Sequence, residues 1–416
     1  MNSRHPKVLV MGARGLAQSA VTNSRRTNHP CHVYLNRPSG HYGAEVNSGH
    51  VWKSTGTPNP CEIVRDNKID LVIPMSIDWH QMPWRDELLA IENTVVFSPH
   101  GEAMRLERER AFGMALARER NVAVPDWYVA SNRADASRHL NDVGEPMVIK
   151  NPLCSPKAPL HTIVSMTIED TAKAIEAADD SEGIFMQRLI GKREVGHIAM
   201  VAGGEVFPLV TNQEYSWSHA GNQGIVDGDP LGGIVQADTD DQYGLVKQLI
   251  RPLEDWLKET NFCGPLQVTA GYWEDRWQVM EYNVRIGVTT GPLMMTMLEN
   301  PMEVFYAAAR GERPEPVFRD NHQFGMILGI VAEEKLKGKM VPENIVEAEN
   351  VLWGDVQGKA GEPIITDTRP FELTAYGDSV AACRGEVYEL ANQLGSISGY
   401  RFREDVGKSL WPPGSD

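Results

Sequence analysis

The sequence predicts an α/β protein that opens with a parallel sheet and continues into a larger α+β part. Three observations predict it. Short apolar runs alternate with helix-compatible stretches between Lys7 and Phe97. A compact strand–helix alternation recurs between Trp127 and Met186. A set of longer strand-like runs then extends from His197 to Tyr282.

The first unit begins with Lys7-Val-Leu-Val-Met11, then Gly12-Ala-Arg-Gly15 and a helical segment. Residues 32–35 and 69–74 supply further strands, and 95–97 close the unit before Ser98-Pro99. Short buried strands at this spacing imply a parallel sheet, whose ligands gather at the carboxyl ends of the strands. From Ala103 the chain turns helical and charged as far as Arg120, and Val124-Pro125 ends the helix. A small module follows, with strands at 127–129, 147–149, 163–164 and 184–186 and helices near 134–140 and 169–178. A second sheet is expected from runs at 197–201, 205–210, 266–270 and 277–282. The linker Arg313-Pro-Glu-Pro-Val317 precedes a final module. The expected division is 1–102, then 103–318 with a lid at about 123–188, then 319–416.

A net charge of −16 argues against a surface that coats nucleic acid, which demands clustered Lys and Arg. It does not exclude a nucleotide ligand, because a pocket can be locally basic. Five scattered cysteines without a CxxC pair read as reduced thiols, hence a cytoplasmic setting. No apolar stretch approaches the ~20 residues that cross a bilayer, and Met1 to Pro6 is polar. Neither a membrane nor a nucleic-acid partner is expected.

The richest segment is Val279-Met-Glu281-Tyr-Asn283-Val-Arg285. In a strand, alternate positions share a face, so a carboxylate, an amide oxygen and a guanidinium project together. Such a face suits a magnesium-bound polyphosphate. Mg2+ takes few protein oxygens, and arginine neutralises charge shed in phosphoryl transfer. A solvated sheet face is the plain alternative, but Asn is unfavourable in strands and a glycine-bounded loop, Gly287 to Gly291, follows. Lys150 ends the apolar run Pro146-Met-Val-Ile149, where a charge is costly without an anion to meet it; a snorkelling lysine is the plainer reading. Arg110 reads by default as part of a solvated helix face. Gly12–Gly15 reads as a phosphate cradle or merely as a tight strand-to-helix turn. His41, His80, His197 and His219 show no HxH or HExxH spacing, so no metal is assigned to them.

Taken in order, these pieces resemble phosphoribosylamine–glycine ligase, a family of the ATP-grasp superfamily, over nearly the whole length. Ser98-Pro99 through Leu106-Glu107-Arg110-Ala-Phe112 is similar to its Gly-Pro…Leu-Glu-x-x-Lys-Ala-Phe, with Arg110 in place of lysine. Val148-Ile-Lys150, Thr211-Asn-Gln-Glu214, Gly232-Gly233 and Glu281-Tyr-Asn283-Val-Arg285-Ile-Gly287 resemble its Val-Val-Lys, Thr-Ser-Gln-Asp, glycine turn and Glu-Phe-Asn-x-Arg-Phe-Gly. Thr374-Ala-Tyr-Gly-Asp378 and Arg403-Glu-Asp405-Val-Gly407 are similar to motifs near its end.

The resemblance implies an ATP-grasp fold with a Rossmann-like N-terminal domain, a mobile lid and a small C-terminal domain. It implies an ADP-forming ligase joining a carboxylate to an amine through an acyl phosphate, using ATP and Mg2+, with Mn2+ able to replace it. Glu281 and Asn283 would hold the metal. Lys150 and Arg110 would contact phosphates, Gln187 and Leu189 would line the adenine hinge, and Glu194 would meet ribose. Arg285 would face the acyl phosphate. Gly12, Gly15, Gln213, Gly232, Gly233, Thr289 and Thr290 would lie near the substrates, in a monomer or homodimer.

The departures are local. Where the family's first loop has Arg-Glu-His, this chain has Leu16, Ala17 and Gln18. Its glycine-rich lid loop becomes Lys150-Asn-Pro-Leu-Cys-Ser-Pro-Lys157-Ala-Pro, which prolines would stiffen. Its Gly-Asp-Pro-Glu becomes Gly287-Val-Thr-Thr290. An altered substrate pair, an amino acid with a specialised amine, is therefore expected. An authentic divergent glycine ligase and a catalytically inactive ATP-binding protein stand as alternatives, with a dehydrogenase built on Gly12–Gly15 the weakest.

Overall fold

The computed structural model describes residues 5–35, 40–47, 49–53, 59–154, 162–226, 228–395 and 397–411. Strands β1 (Val8–Met11), β2 (Cys31–Leu35), β3 (His50–Lys53), β4 (Leu71–Pro74) and β5 (Val95–Val96) form a parallel sheet in the order β3-β2-β1-β4-β5. Val8, Leu9, Val10, Leu71 and Val72 are wholly buried, as central strands covered on both faces require. The strand order reverses between β1 and β4, so the connections leaving them diverge and open a crevice at their carboxyl ends. The β3 strand carries no buried residue, which is why no apolar run announces it.

The charged helix expected from residue 105 to 120 is two helices, Arg105–Arg108 and Arg110–Glu119. Glu109 between them is extended and bridges to Leu153, while the Arg110 amide donates to the Pro152 carbonyl. This break turns Arg110 inward.

Strands β6 (Trp127–Ala130), β7 (Met147–Lys150), β8 (Thr162–Val164) and β9 (Ile184–Arg188) make an antiparallel sheet in the order β6-β9-β7-β8. Helices Arg133–Val143 and Ile168–Ala177 cover it, each started by a side chain, Asn132 or Thr167, accepting a backbone N–H. The proline-bearing loop with Pro156, Lys157 and Pro159 lies outside the described residues.

The remaining strands are β10 (Glu194–Ala202), β11 (Glu205–Glu214), the hairpin β12 (Trp217–His219) and β13 (Gln223–Val226), β14 (Gly232–Ala237), β15 (Gly264–Trp273) and β16 (Arg276–Asn283). After them come β17 (Phe324–Ala332), β18 (Val351–Trp353), the hairpin β19 (Val356–Lys359) and β20 (Glu362–Ile365), β21 (Phe371–Gly377) and β22 (Tyr400–Arg401). One antiparallel sheet runs β16-β15-β10-β11-β14-β17-β21-β18, with β22 beside β17. Residues 319–416 thus add their strands to the sheet that 103–318 begin, through β14 and β17. Gly232-Gly233, expected as a turn, opens β14. All five cysteines are free, and no described helix is long and apolar enough to cross a membrane.

Candidate active site

The carboxyl half of β16 carries the site, and the lid strand β7 delivers Lys150 to it. Glu281 accepts an ion pair from Arg110 Nη1 at 2.9 Å and lies 3.8 Å from Lys150 Nζ. Burial alone would favour the neutral acid, yet Lys150 and Arg110 hold its carboxyl down at about 2. Burial also pushes the Lys150 ammonium down to about 8, against the pull of Glu281. Lys150 Nζ further reaches the Met280 carbonyl at 3.4 Å. Arg110 is held by a second bond, Nε to the Asn151 carbonyl at 3.1 Å. A cavity of about 10 Å³ is all that remains beneath these groups.

Two residues along β16, the Asn283 side chain makes no hydrogen bond among the described residues, so its amide oxygen is available to a ligand. Beyond the strand, Arg285 is half-buried and its Nε donates to Glu107 Oε1 at 3.1 Å. Glu107 is buried, and its other oxygen accepts the Val284 amide at 2.6 Å. The guanidinium is therefore aimed by a group in a different helix. Glu107 belongs to a motif quoted above but could not be assigned a role from sequence, because its partner lies 178 positions away.

The residues expected near adenine and ribose are brought to the same region. Gln187 is buried and donates from Nε2 to the Met280 carbonyl at 3.3 Å, tying β9 to β16 rather than presenting its amide to a ligand. Leu189 lies one residue past β9, half-buried. Glu194 opens β10 directly opposite Glu214 on β11, so both carboxyls share one face. Burial raises Glu194 to about 7 and Glu214 to about 8, although Ser216 Oγ donates to Glu194 at 2.7 Å. Glu214 was not singled out in advance; antiparallel register, invisible in a single sequence, sets it beside Glu194.

Of the residues expected at the substrates, some converge and two do not. Thr289 and Thr290 are buried with hydroxyls that find no partner, a donor pair left for a ligand. Gly233 faces them so closely that a Cβ would stand 2.7 Å from the Thr289 methyl. Gly232 and Gln213 face the other way: Gly232 packs on Val406, and Gln213 Nε2 donates to Tyr215 and to the Ser409 carbonyl. Alternation along a strand makes this unavoidable once Gly233 and Glu214 point inward. Gly12 and Gly15 line a separate cavity of about 210 Å³ in the crevice between β1 and β4. A side chain at Gly12 would collide with Met75 Sδ at 2.1 Å.

The donor set fits a magnesium-bound triphosphate. A carboxylate held ionised and an unpartnered amide oxygen offer hard ligands, and three cations converge on the same face. In this arrangement Glu281 neutralises Arg110 and Lys150; with a metal on Glu281 and Asn283, both cations would turn to phosphate oxygens.

No family model matches the chain. In sequence it is similar to the phosphoribosylamine–glycine ligase of Vibrio vulnificus strain YJ016, 25% identical over 340 residues, covering 75% of this chain and 77% of that one. In structure it resembles the phosphoribosylamine–glycine ligase of Thermotoga maritima, with a TM-score of 0.72 at 18% identity over 96% of this chain and 99% of that one. It also resembles the biotin carboxylase domain of the Hydrogenobacter thermophilus 2-oxoglutarate carboxylase in complex with MgADP and bicarbonate. There the TM-score is 0.69 at 13% identity, over 99% and 97% of the two chains. The resemblance read from the sequence is borne out, and the fold is that of ATP-grasp enzymes.

Proposed function

We propose that this chain, an ATP-grasp carboxylate–amine ligase similar to the phosphoribosylamine–glycine ligases, joins a substrate pair other than glycine and phosphoribosylamine. Glu281 and Asn283 hold Mg2+, which supplies charge neutralisation for the triphosphate. Lys150 and Arg110 hold its phosphate oxygens. A carboxylate oxygen attacks the γ-phosphorus and ADP leaves, giving an acyl phosphate. The amine nitrogen then attacks the carbonyl carbon, phosphate departs with the C–O bond electrons, and the nitrogen loses a proton. Exchanging hydroxide for phosphate as leaving group is what makes the amide accessible. Arg285, fixed by Glu107, stabilises charge on the acyl phosphate, and the buried hydroxyls of Thr289 and Thr290 orient it.

The observation that carries the altered pair is the fate of the first loop. Leu16 is buried and packs toward Gly291. Gln18 is buried too: its amide donates to the Val351 carbonyl at 2.9 Å and accepts the Trp353 amide at 2.8 Å. Positions that hold Arg and His in the resembling family are here spent on packing.

The test is ADP release over carboxylates crossed with amines. A pair other than glycine and phosphoribosylamine is expected to sustain turnover at least tenfold faster than that pair. Efficient turnover of glycine with phosphoribosylamine would refute the altered pair. ATP binding with no ADP release from any pair would refute the ligase.

A further inference from the structure

We propose that the 210 Å³ crevice at the carboxyl ends of β1 and β4 receives the amine substrate, and that this amine is an arylalkyl amine without phosphate. The inference rests on the ligase reading for the word substrate, but not for the chemistry of the cavity.

The walls are apolar and flat. Met11, Tyr34, Met75, Trp79, Met82 and Trp84 line the crevice. Trp79 is buried and its indole N–H is already given to Ser98 Oγ at 3.1 Å, so the ring offers a face rather than a donor. Two tryptophans, a tyrosine and three thioethers favour an aromatic guest through dispersion and sulfur–aromatic contact. A ribose phosphate would have to shed its hydration against them.

The polar lining is acidic in balance, with Asp78, Asp229 and Glu372 against Arg14 and Arg369. Both guanidiniums are paired, although Arg14 Nε is left without a hydrogen-bond partner. Arg14 pairs with Asp229 at 3.0 Å and with Asp355 at 2.8 Å, and Arg369 donates to the Asp229 carbonyl at 2.8 Å. Two amides of the backbone cradle are engaged as well: Gly12 donates to the Tyr34 carbonyl at 3.1 Å and Arg14 to the Gly40 carbonyl at 2.6 Å. Among the described residues a phosphate finds no unpaired cation and neither of those two amides. A cation, by contrast, finds the Glu372 carboxyl, which makes no side-chain hydrogen bond or close ion pair among the described residues, although the Arg369 and Arg14 guanidiniums lie near enough to favour its charge. Burial raises its carboxyl to about 7, a strain that an ammonium group would relieve.

The cavity also borders the loop that leaves β16. Val288 lines it and sits in the Gly287–Thr290 loop, just beyond Arg285 and beside the orphaned threonine hydroxyls.

The experiment is direct binding to the full chain, followed by tryptophan fluorescence with 2-phenylethylamine and tryptamine. Ribose 5-phosphate and 2-phenylethanol serve as the phosphate and uncharged comparisons. The arylalkyl amines are expected to bind saturably, at least tenfold tighter than either comparison. Glu372→Gln should bring 2-phenylethylamine down to the level of 2-phenylethanol. Trp84→Ala, at a half-buried position that tolerates truncation, should weaken all aromatic ligands about tenfold. Absence of saturable amine binding overturns the inference. So does ribose 5-phosphate binding as tightly as the amines, or amine binding unchanged in both variants. Amine binding without ADP release from any substrate pair would sink the ligase reading while leaving this assignment of the crevice standing.

Discussion

Around Glu281 the side chains are charged, buried and bonded to one another, with about 10 Å³ of free space. In the crevice beside Gly12 they are aromatic or thioether, and the space is about 210 Å³. In the proposed function the first region serves a step every carboxylate-activating ligase shares: a triphosphate must be gripped and its charge neutralised. The second is built for whichever guest a particular ligase accepts. Charged groups at the first constrain each other, so changing one strands the rest. Walls at the second can be exchanged singly at little cost to the fold.

The comparison breaks most sharply at Glu281. Glu281→Ala should cut ADP formation by about a thousandfold, equivalent to about 4 kcal/mol of transition-state stabilisation. Alanine would also leave Arg110 and Lys150 buried without their counter-charge, which destabilises. Glu281→Gln keeps the shape and a hydrogen-bond acceptor, so it separates lost metal binding from lost folding. Asn283→Ala should act in the same direction with the fold intact. Turnover within tenfold of the parent chain in Glu281→Gln would remove the metal assignment.

That region was the more legible of the two. Glu281, Asn283 and Arg285 announced themselves because strand alternation is a local rule, and Lys150 because a charge ending an apolar run is an anomaly. Arg110 looked like a solvated helix residue; only the kink at Glu109, made by pairing with Leu153, turns it inward. Glu107 and Glu214 were illegible for a different reason. Their roles come from partners on other elements, Arg285 and Glu194, and neither register nor packing is written in one stretch of chain. The crevice was half legible: Gly12 and Gly15 marked its floor, but Trp79, Trp84 and Glu372 join it from separate elements. Gly232 faces away from Thr289 and Thr290 because the expected turn is a strand start, and strand alternation sets its neighbour Gly233 toward them.

A smaller effect tests the electrostatics of the first region. Lys150 is held down at about 8 by burial. ATP affinity should therefore be flat below pH 7 and fall about tenfold between pH 7.5 and 9.5 as the ammonium is lost. Lys150→Arg should abolish that fall, because a guanidinium stays charged throughout. The stability contribution has the opposite sign. A lysine lowered in the folded state releases its proton before the unfolded chain does, so from about pH 8 to 10.5 its contribution favours folding as pH rises. Weaker ATP binding alongside unchanged or higher thermal stability over this window, lost in Lys150→Arg, separates Lys150 from Glu194 and Glu214, which burial raises to about 7 and about 8. Parallel loss of both would point to general alkaline unfolding instead.

The smallest effect concerns Arg14, which ties β1's loop to the larger sheet. Its φ of 57° is left-handed, a conformation that costs a residue with a side chain about 1–2 kcal/mol relative to glycine. The strain persists because the guanidinium reaches Asp229 and Asp355, one exposed and one buried. Arg14→Gly relieves the strain but leaves the buried Asp355 carboxyl without its counter-charge, so the melting midpoint should fall by about 2–4 °C. Because the guanidinium is already committed to two carboxylates, the KM of the carboxylate substrate should change less than threefold. A tenfold rise in that KM with kcat unchanged would assign Arg14 to substrate instead. The crevice would then belong, like the region around Glu281, to anion recognition, and the contrast between the two would dissolve.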